Sequence, residues 1–80
     1  MSCGASVQSL ASVGRGCPDL LVGFKGRNLL LEVKDGRKPP SARELTDDQK
    51  KWHGGWLGNV RVVESVEQAI AALIGDEDEQ

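Results

Sequence analysis

Residues 17–34 read CPDLLVGFKGRNLLLEVK, and this stretch decides the fold. Two apolar runs flank Lys25-Gly26, a pair short enough for a two-residue hairpin turn. The reading is a strand over 19–24 and its hairpin partner over 27–34. Pro18 opens the first strand, where a missing N–H is tolerated. The unbroken Leu29-Leu30-Leu31 predicts a strand covered on both faces. Alternation puts Glu32 and Lys34 on one face, with Leu31 and Val33 on the other. If Lys25-Gly26 is the turn, Phe24 opposes Arg27, and Asp19 then opposes Glu32. Two carboxylates therefore land side by side, with Lys34 just beyond them.

Adjacent carboxylates repel, and one takes up a proton unless a third party intervenes. A divalent cation removes the conflict. Carboxylate oxygens, a backbone carbonyl and water suit Mg²⁺ or Mn²⁺. A nearby lysine can orient or deprotonate a water, or stabilise charge on a phosphate. The competing reading is an edge-strand charge pair with an unrelated aspartate. Taken without the pairing, Asp, Glu and Lys favour that plainer reading. The cross-strand register is what moves the balance toward a metal site.

Working outward, residues 5–12 alternate loosely and predict a short first strand, and Gly14 and Gly16 mark a loop. Residues 35–42 contain Gly36 and Pro39-Pro40-Ser41, and read as a second loop. Thr46 to Gln49 fits a capping box, opening a helix to residue 56 or 57 despite Gly54-Gly55. Gly58-Asn59 ends that helix, and 60–63 is a strand. Ser65 to Gln68 is a second capping box. The helix after it places Val66, Ala69, Ile70, Leu73 and Ile74 at helical spacing, as a buried stripe. Gly75 is expected to stop it, leaving 76–80 as a disordered acidic tail.

The order β-β-β-α-β-α predicts an α/β fold with a small mixed sheet, as one domain over 1–75. The 60–63 strand follows a helical crossover, so it should pair parallel to a hairpin strand, with a right-handed connection.

Eighty residues allow one small core. Residues 1–61 hold all ten basic side chains and six of the twelve acids, and 62–80 hold the other six acids. A basic body with an acidic end is compatible with phosphate binding, although a solvated surface explains the charges equally simply. No apolar run approaches the roughly 20 residues of a membrane span. The N-terminus lacks the regions of a signal peptide. Cys3 and Cys17 show no Cys-x-x-Cys spacing, so a reduced, cytoplasmic setting is the expectation.

Pro18-Asp19 and Glu32-Val33-Lys34 resemble the two half-motifs of the PD-(D/E)xK nuclease superfamily. The ordered set GRGCPDLLVG, LLLEVKDG, LTDDQKKWH and VRVVESVEQAI resembles the VRR-NUC family over about residues 5–74. The resemblance implies a restriction-endonuclease-like core and a Mg²⁺- or Mn²⁺-dependent, structure-selective DNA endonuclease. Asp19, Glu32 and the Val33 carbonyl would bind metal, and Lys34 would position the attacking water. Gln49 matches a helical glutamine that steadies the lysine or water. Small viral members form homodimers similar to Holliday-junction resolvases. That implies branched or structured DNA as partner, and a bacterial host cytoplasm if the gene is phage-borne. Family members usually begin with a further helix, often carrying another acid. This chain opens at the first strand, so a member lacking that helix is expected. A DNA-binding or dimerisation module of impaired activity is the alternative.

Arg15, Arg37, Lys38, Arg43 and Lys50, with Lys51, are candidate DNA contacts; for each, a solvated surface is the equal alternative. Ser12 is a weaker candidate for the scissile phosphate. Gly14 and Gly16 either admit a DNA backbone or simply turn the chain. His53 is read as a packing or surface residue in preference to a general acid. Trp52 and Trp56, four apart, are read as core or dimer interface in preference to base stacking. Cys17 is read as packed.

Overall fold

The hairpin turn sets everything else. In the computed structural model, which describes residues 4–78, Lys25 and Gly26 both take positive φ, 50° and 79°. That is the backbone of a primed two-residue turn, whose twist matches the flanking strands. Lys25 is unusual in that conformation, and its Nζ lies 5.4 Å from the Phe24 ring centroid. The turn joins β2 (Leu20–Phe24) to β3 (Arg27–Val33), with Phe24 opposite Arg27 and Leu20 opposite Leu31. The register expected from the turn is therefore the one observed.

Around this pair, β1 (Ser6–Ser9) lies antiparallel to β2, and β4 (Val60–Val63) lies parallel to β3. The result is a mixed four-stranded sheet in the order β1-β2-β3-β4. Strand β1 is shorter than the expected 5–12. It ends where Leu10 N–H donates to the Asp19 carbonyl at 2.7 Å, closing the loop that returns to β2. Helix α1 (Asp47–Gly55) begins on the predicted capping box: Thr46 Oγ1 accepts from Gln49 N–H, and Gln49 Oε1 accepts from Thr46 N–H. A 3₁₀ turn, Pro40–Arg43, occupies the end of the expected loop.

Helix α2 (Val66–Asp78) opens with Ser65 Oγ accepting from Gln68 N–H. The Gln68 side chain reaches one residue further back than a standard box, accepting from Glu64 N–H at 2.8 Å. Two expectations for α2 need correction. It continues through Gly75 to Asp78, since a single helical glycine costs only about 1 kcal/mol and need not end a helix. The expected tail thus begins inside the helix, and Glu79 and Gln80 lie outside the described residues. The buried stripe is also narrower. Ala69 and Leu73 are buried and Ile70 half-buried, whereas Val66 and Ile74 are exposed. One helix covers only a strip of a four-stranded sheet.

The core is Val22, Leu29, Leu31, Val63, Ala69 and Leu73, with Leu20, Phe24 and Ala72 packed against it. All the strand positions in it belong to one face of the sheet, and α2 covers them. The opposite face carries Leu21, Leu30 and Glu32 and is approached by the loop 10–19 and by α1. No helix among the described residues is long and apolar enough to cross a membrane.

Candidate active site

Among the described residues, Glu32 is the one charged side chain buried in the sheet, at 2% exposure. It sits on β3 between the core residue Leu31 and the exposed Val33, on the face away from α2. Asp19 stands one residue before β2, where the register places it opposite Glu32. Its Oδ2 accepts from Val33 N–H at 2.8 Å, so the aspartate continues the ladder after the strand has ended. N–H and C=O of one residue project to the same side of an extended strand, so the Val33 carbonyl also faces the Asp19 side.

The electrostatics follow from that pairing. Burial pushes the Glu32 carboxyl up to about 7, helped by a side-chain hydrogen bond with Asp19 and by the Asp19 charge; Lys34 partly opposes the rise. Near neutral pH Glu32 therefore keeps a substantial share of its proton, as a poorly solvated carboxyl beside a second one should.

Lys34 follows β3, with its N–H donating to the Val63 carbonyl at 2.9 Å. Its Nζ donates to Gln49 Oε1 at 2.8 Å. The same oxygen caps α1 through Thr46, so Gln49 ties the helix start to the lysine. One helical turn on, His53 Nε2 lies 3.5 Å from Glu32 Oε1, with the histidine side chain only 13% exposed. Burial, with the Lys34 charge, holds the His53 pKa below its usual value. The contact at neutral pH is therefore one of a neutral imidazole and not an ion pair.

The expected packing role for His53 overlooks this contact. The signal was available: His53 is four residues after Gln49, so a helix presenting one to the site presents the other.

The loop before Asp19 is locked to α1. Gly14, Arg15 and Gly16 all have positive φ, and Cys17 N–H donates to the Gly14 carbonyl at 3.1 Å. A Cβ on Gly16 would collide with the Asp48 carbonyl and reach 2.9 Å from Gln49 N. Gly16 thus serves a close approach of the chain to its own helix.

Of the expected nucleic-acid contacts, Arg15, Lys38 and Lys50 are exposed. Arg37 is exposed as well, but its guanidinium pairs with Asp35 at 3.1 Å. Arg43 is not on an outward rim. It is half-buried, and its Nη1 pairs with Glu64 Oε1 at 3.1 Å, pinning the 3₁₀ turn to the segment between β4 and α2. Lys51 and Ser12 are exposed. Trp52 and Trp56 stack at 4.5 Å between centroids, with Trp56 46% exposed. With Leu10, Cys17, Leu21 and Leu30 they line an open groove on the α1 face, so Trp56 is not a core residue.

The oxygen donors gathered here are Asp19, Glu32 and the Val33 carbonyl. Among the described residues, no group of three His, Cys, Asp or Glu side chains is arranged to hold a metal. No family model, curated protein or solved structure matches this chain.

Proposed function

We propose that this chain is a metal-dependent DNA endonuclease with a PD-(D/E)xK core of the VRR-NUC type. The observation that carries the reading is the juxtaposition of Asp19 with a buried Glu32, beside a Lys34 that Gln49 holds in place. A structural charge pair has no need of two repelling carboxylates. Two hard carboxylate donors side by side, with Glu32 raised in proton affinity by burial and by its neighbour, fit Mg²⁺ or Mn²⁺. Asp19, Glu32 and the Val33 carbonyl would hold the ion, and waters would complete its shell. When bound, it supplies Lewis acidity toward a phosphodiester.

The chain's own groups do the rest. Lys34 Nζ spends one N–H on Gln49, which leaves donors for a water or a phosphate oxygen, in a fixed direction. Gln49, anchored in the α1 cap, keeps that direction while substrate enters. Arg15, Lys38 and Lys50 lie in segments that flank the site in sequence and offer phosphate contacts. A homodimer acting on branched DNA belongs to the same proposal. Exposed Val7, Val33 and Val66, around an apolar groove of about 230 Å³, offer area for a second copy to bury.

That two carboxylates and no third gather among the described residues favours one other reading, a nucleic-acid-binding module without turnover. Cleavage of fluorescent branched, flap and linear DNA with Mg²⁺, Mn²⁺ or EDTA separates them. Metal-dependent cutting should fall about 10³-fold or more in Asp19→Ala, Glu32→Ala and Lys34→Ala. Near wild-type cutting by any one of these overturns the mechanism. Binding of branched DNA without cutting, by the folded wild type, selects the module.

A further inference from the structure

We infer that His53 is a positioning residue for Glu32, the counterpart on α1 of what Gln49 is for Lys34; this rests on the nuclease reading above.

A strand repeat and a helix repeat nearly coincide at the site. Glu32 and Lys34 are two apart on a strand face, about 6.6 Å along the chain. Gln49 and His53 are four apart on a helix, about 6 Å along its axis. The near match lets one turn of α1 stand over two successive site residues, each helix side chain meeting one strand side chain. The observed contacts follow that correspondence: Gln49 Oε1 to Lys34 Nζ at 2.8 Å, and His53 Nε2 to Glu32 Oε1 at 3.5 Å.

Burial makes the second contact consequential. Glu32 is 2% exposed, and the His53 side chain is 13% exposed. A buried carboxylate oxygen has few partners to choose from, and Asp19, itself a carboxylate, cannot satisfy it once both are ionised. With its proton on Nε2, the tautomer this inference assigns, His53 donates to Oε1 and leaves the other carboxylate oxygen to a cation. The histidine thus selects which Glu32 oxygen faces the ion and holds its rotamer. Partners of this kind, one layer out from a metal ligand, orient it and raise affinity. The locked contact of Gly16 with the α1 backbone keeps the helix at the distance both links require.

The test is Mn²⁺ binding, by calorimetry and electron paramagnetic resonance, to wild type, Glu32→Ala, His53→Leu, His53→Asn and His53→Gln. His53→Leu keeps bulk and removes the donor; Asn is too short to reach Glu32, and Gln restores a donor at similar reach. The expected result is about 10- to 100-fold weaker Mn²⁺ binding in Leu and Asn, with most of the loss recovered in Gln. Cleavage in the weakened variants should return as Mn²⁺ is raised. If His53→Leu does not fold, Asn against Gln carries the same comparison. Binding lost in Glu32→Ala but unchanged in His53→Leu and His53→Asn overturns this inference and leaves the nuclease reading standing. Equal weakening in Gln and Asn also overturns it. Wild type that binds no Mn²⁺ overturns both.

Discussion

The two faces of the sheet are built on opposite principles, although β3 supplies both. Toward α2, Leu29, Leu31, Val22 and Val63 meet Ala69 and Leu73, and contact is apolar throughout. Toward α1 the helix buries none of its own residues completely and is held by polar links from Gln49 and His53, plus a backbone approach at Gly16. The α2 face can lose water without regard to direction, because hydrophobic burial is non-directional. On the α1 face direction matters, since each hydrogen bond fixes an angle as well as a distance. Strand alternation separates stability from chemistry at a spacing of one residue. Leu31 belongs to the first function and Glu32, its neighbour, to the second.

The sharpest way to break this contrast is at Leu31, 1% exposed. Leu31→Ala should cost about 2–5 kcal/mol in urea or thermal unfolding, a large share of a small domain's stability. A loss under about 1 kcal/mol would mean the α2 face is not the main source of stability.

Glu32→Gln should do the reverse and stabilise. The folded carboxyl titrates at about 7 against an ordinary 4.5. Between those values the folded protein keeps a proton that the unfolded chain has released, so stability falls as pH rises through that window. The loss reaches about 3 kcal/mol above pH 7. Gln carries no such charge and donates to Asp19. Its melting temperature should exceed wild type at pH 8, converge with it near pH 4.5, and lack the decline between. A wild-type melting temperature that does not fall from pH 4.5 to 7 relative to Glu32→Gln removes the buried-pair account.

The effect most confined to one face is expected at Gly16. Its φ of +83° alone makes Gly16→Ala cost about 1–2 kcal/mol, and the collision of the new Cβ with the α1 backbone adds to that. It should also displace α1, disturbing the Gln49–Lys34 link more than the core. Amide hydrogen exchange would show protection lost in Asp47–Gly55 and kept in Val66–Asp78. Uniform loss in both helices would mean the faces are coupled, contrary to the comparison.

Local sequence carried much of this far. Lys25-Gly26 fixed a register that places Asp19 against Glu32, because a two-residue turn leaves no freedom of pairing. Thr46 and Gln49 announced the α1 start through a capping box. Gly75 misled, since a glycine that ends many helices is only mildly unfavourable inside one. Arg43 misled because an arginine in a basic loop reads the same whether it faces solvent or, as here, Glu64, 21 residues away.

What the sequence determined by itself is whatever period and turn chemistry dictate: the hairpin, the alternation at 31–34, the caps and the α/β class. Only the tertiary structure decided which side of the sheet each helix takes, and so that Gln49 and His53 stand over Lys34 and Glu32. It also decided that α2 covers a strip too narrow to bury Val66 or Ile74. Periodicity is set by bonds within a few residues. Docking depends on the distance and direction between elements far apart in the chain, where a strand repeat and a helix repeat must coincide in space.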